Sequence, residues 1–351
     1  MSKFPPDQSQ DHLEQSAEDN PQKSAKVVSV PPEIKKRSLF NRILRGLGLT
    51  FAGLVGLLIV AGLGFWAFAM SRINKSYDIT PASITIPTDA ASIERGKILS
   101  EVVRCTECHG ADLSGTTWVN RPIRRGHFGP SNLTRGLNGL PDDYSDADFM
   151  RAIRHAVGKD GKPLILMPSN FFTKLNEADL GALIAYIKSL PPTDGDSPPN
   201  TTGPELWYGV LNEAQGLPVR LIDHANLPPP VKMQPTLSLE YGEYTADSCK
   251  SCHGADLAGD PFLERLGTAA PNLTPITLGD WTEDDFLTAM HTGKTPSGYV
   301  INPELMPREA IGKLSEVELK ALWLYMQSIP AVATEDSIEM QKELLWQEQH
   351  Q

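Results

Sequence analysis

At 351 residues the chain has room for two ordinary domains plus extra segments. Its composition, 40% hydrophobic and 21% charged with a formal net charge of -11, suits a soluble globular body and lacks the basic excess of a nucleic-acid binder. Four cysteines in two close pairs, Cys105 with Cys108 and Cys249 with Cys252, leave none over and do not suit a long-range disulfide framework.

Residues 1–45 read as a polar tail of mixed charge, disordered for at least residues 1–38. From Gly46 to Met70 the chain carries no charge and a single hydroxyl, Thr50. Leu47 to Met70 would extend roughly 36 Å as a helix, enough for a hydrocarbon core of about 30 Å, so 46–71 is predicted to be a transmembrane helix. A buried soluble helix normally keeps a polar face, and this segment has none. Lys35, Lys36, Arg37, Arg42 and Arg45 precede the run, whereas only Arg72 and Lys75 follow it closely. The positive-inside bias then predicts a cytoplasmic N-terminus and a single pass, with everything after Met70 outside. Ala67-Phe68-Ala69 has the small-x-small look of a processing site, so a cleaved signal competes with an anchor. The run is longer than the roughly 7 to 15 residues of a signal core and follows a long polar leader, which favours the anchor.

The rest of the chain repeats itself. Glu94-Arg95-Gly96 answers Glu240-Tyr241-Gly242, and the stretch Cys105 to Gly115 answers Cys249 to Gly259. Pro130-Ser131-Asn132-Leu133-Thr134 answers Pro271-Asn272-Leu273-Thr274 with one residue of slip, and Met167-Pro168 answers Met306-Pro307. Helix signals agree. Ser145 and Thr282 are N-caps with Asp148 and Asp285 three residues on, and Tyr144/Phe149 and Trp281/Phe286 are placed as hydrophobic staples. Asn176 and Ser315 cap a terminal helix whose apolar series Leu180, Leu183, Ile184, Ile187 matches Leu319, Leu322, Trp323, Met326. The expected fold is all-α: two tandem helical domains, 91–192 and 237–331, after one N-terminal transmembrane helix. A proline-rich linker at 193–236 joins them, with a short helix expected within 206–222 packed on one domain, and a tail closes the chain at 332–351.

Each repeat carries C-x-x-C-H, the pattern of c-type haem attachment. Two thiols three positions apart can each form a thioether to one porphyrin edge while the next residue turns its imidazole onto the iron. Cys105, Cys108 and His109 would serve a first haem, and Cys249, Cys252 and His253 a second, giving two covalently bound haem c. A zinc site would need a fourth ligand in each half with no cysteine left to give it, and a redox dithiol would expect βαβ context. A sixth ligand duplicated with its domain should sit at equivalent positions. Met150 faces Leu287 and Met290 faces Ile153, so both read as helix core; His127 has no clear counterpart; His155 and His291 fall out of register and read as surface or capping residues. Met167 and Met306 match without ambiguity and are the expected distal ligands. Filling both axial positions favours electron transfer over catalysis, so no catalytic residue and no small-molecule substrate at the iron are expected.

These motifs resemble the class I cytochrome c family, in particular its tandem, membrane-anchored dihaem members of bacterial respiratory chains, over 91–192 and 237–331. The resemblance implies a haem-wrapping helical fold, haem attached on the outer, periplasmic side of the cytoplasmic membrane, and electron exchange with a redox-protein donor and acceptor. It further implies that Gly96 and Gly242 let the first helix cross the terminal helix near Tyr186 and Tyr325, and that Pro130 and Pro271 lie near the proximal His, a backbone carbonyl orienting its ring. Arg121, Arg124 and Arg125 have no basic match in the second half; they meet the haem propionates or belong to a solvated loop. With +2 on residues 1–45 the remainder carries -13, which suits a partner with a basic docking face as well as plain solubility. The expected function is a dihaem electron carrier. Alternatives are the cytochrome subunit of a periplasmic quinoprotein-type dehydrogenase, a dihaem peroxidase, which would need one iron without Met, and a zinc-binding adaptor.

Overall fold

The computed structural model describes residues 39–117, 119–121, 126–195, 200–211, 217–259 and 270–334. The chain divides into two compact units, Met1–Leu58 and Ile59–Gln351. All described residues of the first belong to helix α1 (Leu39–Ile73), which is long and apolar enough to cross a membrane and buries only Ala69. Its one central hydroxyl is satisfied within the helix: Thr50 Oγ1 donates to the carbonyls of Gly46 and Leu47 at 3.0 and 2.9 Å, so this hydroxyl needs no partner outside the helix.

The second unit is built from two matching sets of helices. The first set is α2 (Ala90–Val102), α3 (Cys105–His109), α4 (Asp146–His155) and α5 (Glu177–Ser189). After α6 (Pro204–Leu211) comes the second: α7 (Leu239–Ala246), α8 (Lys250–His253), α9 (Pro275–Leu278), α10 (Glu283–Thr292), α11 (Arg308–Ile311) and α12 (Glu316–Ser328). The expected all-helical class holds, with one exception among the described residues. The loop after α3 contains a small antiparallel hairpin, β1 (Val119–Arg121) with β2 (Gly126–Phe128), Val119 standing opposite Phe128.

Capping explains where the helices start. Ser145, Thr282 and Ser315 each form a capping box with the acid three residues on, and the Asn176 side chain accepts from the Asp179 N–H. The Tyr144 and Phe149 rings meet edge to face at 4.8 Å, fixing the entry to α4. The apolar series of α5 and α12 then turns inward. Leu180 and Ile184 are fully buried, as is Leu319, each worth roughly 2 kcal/mol of apolar transfer.

Each terminal helix is crossed tightly by the first helix of its set. A Cβ on Gly96 would overlap the Ala182 carbonyl and press on the Tyr186 Cβ, and one on Gly242 would do the same at Ala321 and Tyr325. Glycine is thus required at both crossings for clearance. The connecting segment packs on the first set: Leu217, Val219 and Ile222 form a buried cluster with Ala156 and Val157, to which Ile73 and Tyr77 add partly buried surface.

The two sets also meet. Arg95 of α2 donates from Nε to Asp179 at 3.0 Å, and its Nη2 and Nη1 reach Glu318 of α12 at 2.6 and 3.2 Å. Tyr241 donates to Glu318 at 2.9 Å, and Tyr244, from the second set, donates to Asp179 of the first at 2.5 Å. Burial and the neighbouring carboxylates hold both phenols well above their ordinary value, so they stay donors.

Candidate functional site

The short helices α3 and α8 carry the two motifs, with Cys105, Cys108 and His109 inside α3, and Cys249 at the N-cap of α8 ahead of Cys252 and His253. The His109 Nδ1 lies 2.7 Å from the Ser131 carbonyl and the His253 Nδ1 2.7 Å from that of Pro271. A carbonyl only accepts, so Nδ1 carries the proton and Nε2 is left with its lone pair, the arrangement of a metal-bound imidazole steadied from behind. Burial, only partly offset by that carbonyl, keeps both rings below their ordinary value and therefore neutral at pH 7.

For the first ring the orienting carbonyl is that of Ser131, and Pro130, next to it in the chain, lines the same cavity as His109. The one-residue slip between the halves places Ser131, directly before Asn132, where Pro271 stands before Asn272. Those asparagines hold the carbonyl in place and had no role assigned from the sequence. Asn132 donates to the Thr193 carbonyl at 2.8 Å and accepts from the Thr134 N–H at 2.8 Å; Asn272 repeats this with Val332 at 2.7 Å and Thr274 at 2.8 Å. The repeated Asn-Leu-Thr was the visible signal.

Burial pushes the Cys105 thiol up to about 12 and that of Cys249 to about 11, and raises Cys108 as well. Burial of this kind favours the uncharged form of the sulfur. A thioether carries no charge, so the same apolar setting costs it nothing. Among the described residues no cluster of three or more His, Cys, Asp or Glu is placed to share a metal ion.

In the first half, Cys105, Cys108, His109 and Met167 all line one cavity of about 520 Å³ with apolar walls that include Leu133, Phe149, Ile153 and Leu183. That lies within the roughly 300–1,000 Å³ of small-molecule and cofactor sites. In the second half, Cys249 and Met306 pack against the cluster of Leu257, Phe286, Leu322 and Trp323. Both methionines stand in the same backbone setting, their carbonyls accepting from the N–H two residues on: Ser169 at 2.7 Å and Arg308 at 2.6 Å.

The competing residues lie elsewhere. Met150 and Met290 are core side chains, 2% and 6% exposed. His291 is exposed, with Nδ1 3.1 Å from the Gly312 carbonyl. His155 departs from its surface reading: it is buried against His224, Nδ1 to Nδ1 at 3.1 Å, because the connecting segment folds back over the end of α4. His127 falls in β2; the Arg121 side chain, Arg124 and Arg125 lie outside the described residues.

The cytochrome c family model matches residues 93–191 and again 242–330. The chain belongs to the cytochrome c family. A cytochrome c carries covalently bound haem, and the residues present fit that group: a neutral imidazole fixed from behind, two unionised thiols and a thioether around one apolar cavity. This cytochrome is similar to the fructose dehydrogenase cytochrome subunit of Gluconobacter japonicus, 27% identical over 72% of the chain and 55% of that protein. It is also similar to the cytochrome c subunit of alcohol dehydrogenase (quinone) of Gluconacetobacter polyoxogenes, 25% identical over 72% of the chain and 59% of that protein. A third similar protein is the gluconate 2-dehydrogenase cytochrome c subunit of Pantoea cypripedii, at 25% over 69% of the chain and 60% of its own length. The chain therefore spans less than two thirds of the length of each of these relatives.

Proposed function

We propose that the chain is a dihaem electron-transfer cytochrome that passes electrons between redox-protein partners on the outer face of the cytoplasmic membrane. The observation that carries this reading is the duplication of a complete ligand set, with both CxxCH helices steadied through Nδ1 and both methionines on matching turns. Cys105 and Cys108 would hold one haem and Cys249 and Cys252 the other, with His109 and Met167, and His253 and Met306, as the residues that would bind the two irons. Haem so bound supplies a one-electron Fe(III)/Fe(II) couple whose potential is raised by methionine. The protein's part is to exclude water with the apolar walls, hold each imidazole in one tautomer and offer a thioether as the second ligand of each iron. Helix α1 anchors the chain with its N-terminus in the cytoplasm, as the basic residues before Gly46 favour.

A second reading is favoured by the relatives: the chain serves as the cytochrome subunit of a periplasmic dehydrogenase complex, taking electrons from a catalytic partner. Co-purification from native membranes separates a free carrier from a subunit. Mass analysis and a pyridine haemochrome count should find two porphyrins per chain; material with no added porphyrin mass sinks both readings. Met167→Ala and Met306→Ala should each abolish the near-infrared sulfur-to-iron band of one haem. A band that survives either change removes that methionine from the ligand set.

A further inference from the structure

The two CxxCH motifs come together in space at Arg104. This residue directly precedes Cys105, and its guanidinium Nη1 donates to the Sγ of Cys252, the second thiol of the other motif, at 3.0 Å. Its Nε is held by the Glu107 carboxylate at 2.6 Å. The cavity that gathers the first ligand set is bounded on this side by Arg104 together with Ser248, Ser251 and Cys252, so the two attachment sites share a wall.

The duplication is broken at this position. The counterpart of Arg104 is Ser248, which is uncharged and has no positive φ, whereas Arg104 is left-handed at φ 65°. Other left-handed residues around the motifs come in matched pairs, Leu113 with Leu257 and Gly110 with Gly254. A strained backbone at a long, branched cation persists only where its surroundings hold it there. Here the backbone closes the end of α2, the Arg104 N–H donating to the Glu101 carbonyl at 3.1 Å, while the guanidinium is held between the Glu107 carboxylate and the sulfur of the partner motif.

We propose that Arg104 is a positioning residue that sets the redox balance between the two sites, its fixed cation lying against the sulfur through which the second motif holds its porphyrin. The inference rests on the haem reading of both motifs. A cation beside a centre that gains an electron favours the reduced form, and in a partly buried position water weakens that effect less than at an open surface. Arginine suits the role because it does not lose its charge at any physiological pH.

Redox titration of the full-length, haem-loaded protein tests this. In Arg104→Met the midpoint of the second haem, marked as the one that also falls in Met306→Ala, should drop. The expected size is roughly a tenfold change in its oxidised-to-reduced ratio at fixed potential, or about 59 mV for one electron. Arg104→Lys, which keeps the charge, should recover most of the drop, and Arg220→Met, an exposed arginine in the connecting segment, should leave both midpoints in place. Should Arg104→Met attach haem poorly, Arg104→Gln keeps a donor of similar reach and must show the same drop. A second-haem midpoint unchanged in the neutral variants while both porphyrins are attached overturns the proposal. A wild-type protein without porphyrin overturns the haem reading instead, and shows this before any titration.

Discussion

Replacing Arg95 by Leu would take away the cation that two buried acids share. Its four hydrogen bonds, to Asp179 at 3.0 and 3.3 Å and to Glu318 at 2.6 and 3.2 Å, join the two helical sets, and the acid side chains are only 7% and 4% exposed. Breaking one buried pair typically costs about 3–5 kcal/mol, because a charge is stranded where water cannot reach it. Here part of that cost is offset by donors that stay. Glu318 keeps the Ser315 N–H and hydroxyl and the Tyr241 hydroxyl, while Asp179 keeps the Tyr244 hydroxyl and the Asn176 amide. The expected loss is therefore near the lower end, about 3 kcal/mol at pH 7. The sign with pH follows from Glu318. Burial alone would raise its carboxyl, but Arg95, Ser315 and Tyr241 together hold it below its ordinary value, so its contribution is present at neutral pH and lost in acid. Without Arg95 burial prevails, the carboxyl takes up a proton more readily, and the deficit of the variant should shrink as the pH is lowered from 7 toward 5. Urea unfolding of the full chain in detergent at the two pH values measures this, and a double-mutant cycle with Glu318→Gln isolates the pair. A variant within about 0.5 kcal/mol of wild type at pH 7, the range of a neutral surface change, would refute the argument that this network holds the sets together.

Two further changes probe other parts of the fold. Gly96→Ala should destabilise by about 1–3 kcal/mol, because the added Cβ overlaps the Ala182 carbonyl, whereas Gly209→Ala in α6, with open space around it, should be neutral or slightly stabilising. Equal melting shifts for the two would mean that the α2–α5 crossing is looser than its glycine implies. His155 gives a pH signature of its own. Burial first, then the neighbouring His224 and Arg154, push it down to about 4, and the His224 Nε2 is committed to the Val219 carbonyl at 2.8 Å. The folded state thus binds fewer protons than the unfolded one between about 4 and 6.5, and stability should fall through that window by up to about 3 kcal/mol. His155→Phe should flatten this part of the acid profile; an unchanged acid slope would show that the histidine is not the group responsible.

What the sequence revealed is what a single repeat needs for itself. The caps at Ser145, Thr282, Asn176 and Ser315, the apolar faces of α5 and α12 and the glycines at the crossings are all set by residues a few positions apart or by one helix against another, and periodicity exposes them. The ligand motif is local too. Which carbonyl faces the first ring was left open by the sequence, because the insertion in the first half sits between Pro130 and Asn132 and only geometry tells which side of it is structurally equivalent. The burial of His155 escaped for a different reason: it depends on a connecting segment with a residue 69 positions away, His224, whose path carries no periodic signal. Contacts between the repeats were equally hidden, since Arg95 and Glu318 are 223 residues apart and Arg104 and Cys252 are 148 apart.

Yet those hidden contacts left a trace in the alignment. Two copies of one domain packed face to face bring like against like, in the manner of an isologous contact. Here that would set the acid at the third position of one terminal helix, Asp179, near its counterpart Glu318. With tyrosine at the facing position in both copies, two poorly hydrated carboxylates would share a site with only phenols between them, and such a pair repels strongly. Exchanging one of the two tyrosine-type positions for arginine resolves this. Tyr241 keeps its bond to the acid of its own half, while Arg95 binds its own acid and reaches across to the other. The neighbouring Glu94 and Gly96 are unchanged in Glu240 and Gly242, so the switch stands out as an isolated change of charge within a matched stretch. Arg104 against Ser248 is a second case beside an equally well-matched motif. In a duplicated protein, then, positions that agree report what each copy needs for its cofactor, and at these two positions the cation found in one copy alone lies where the copies touch.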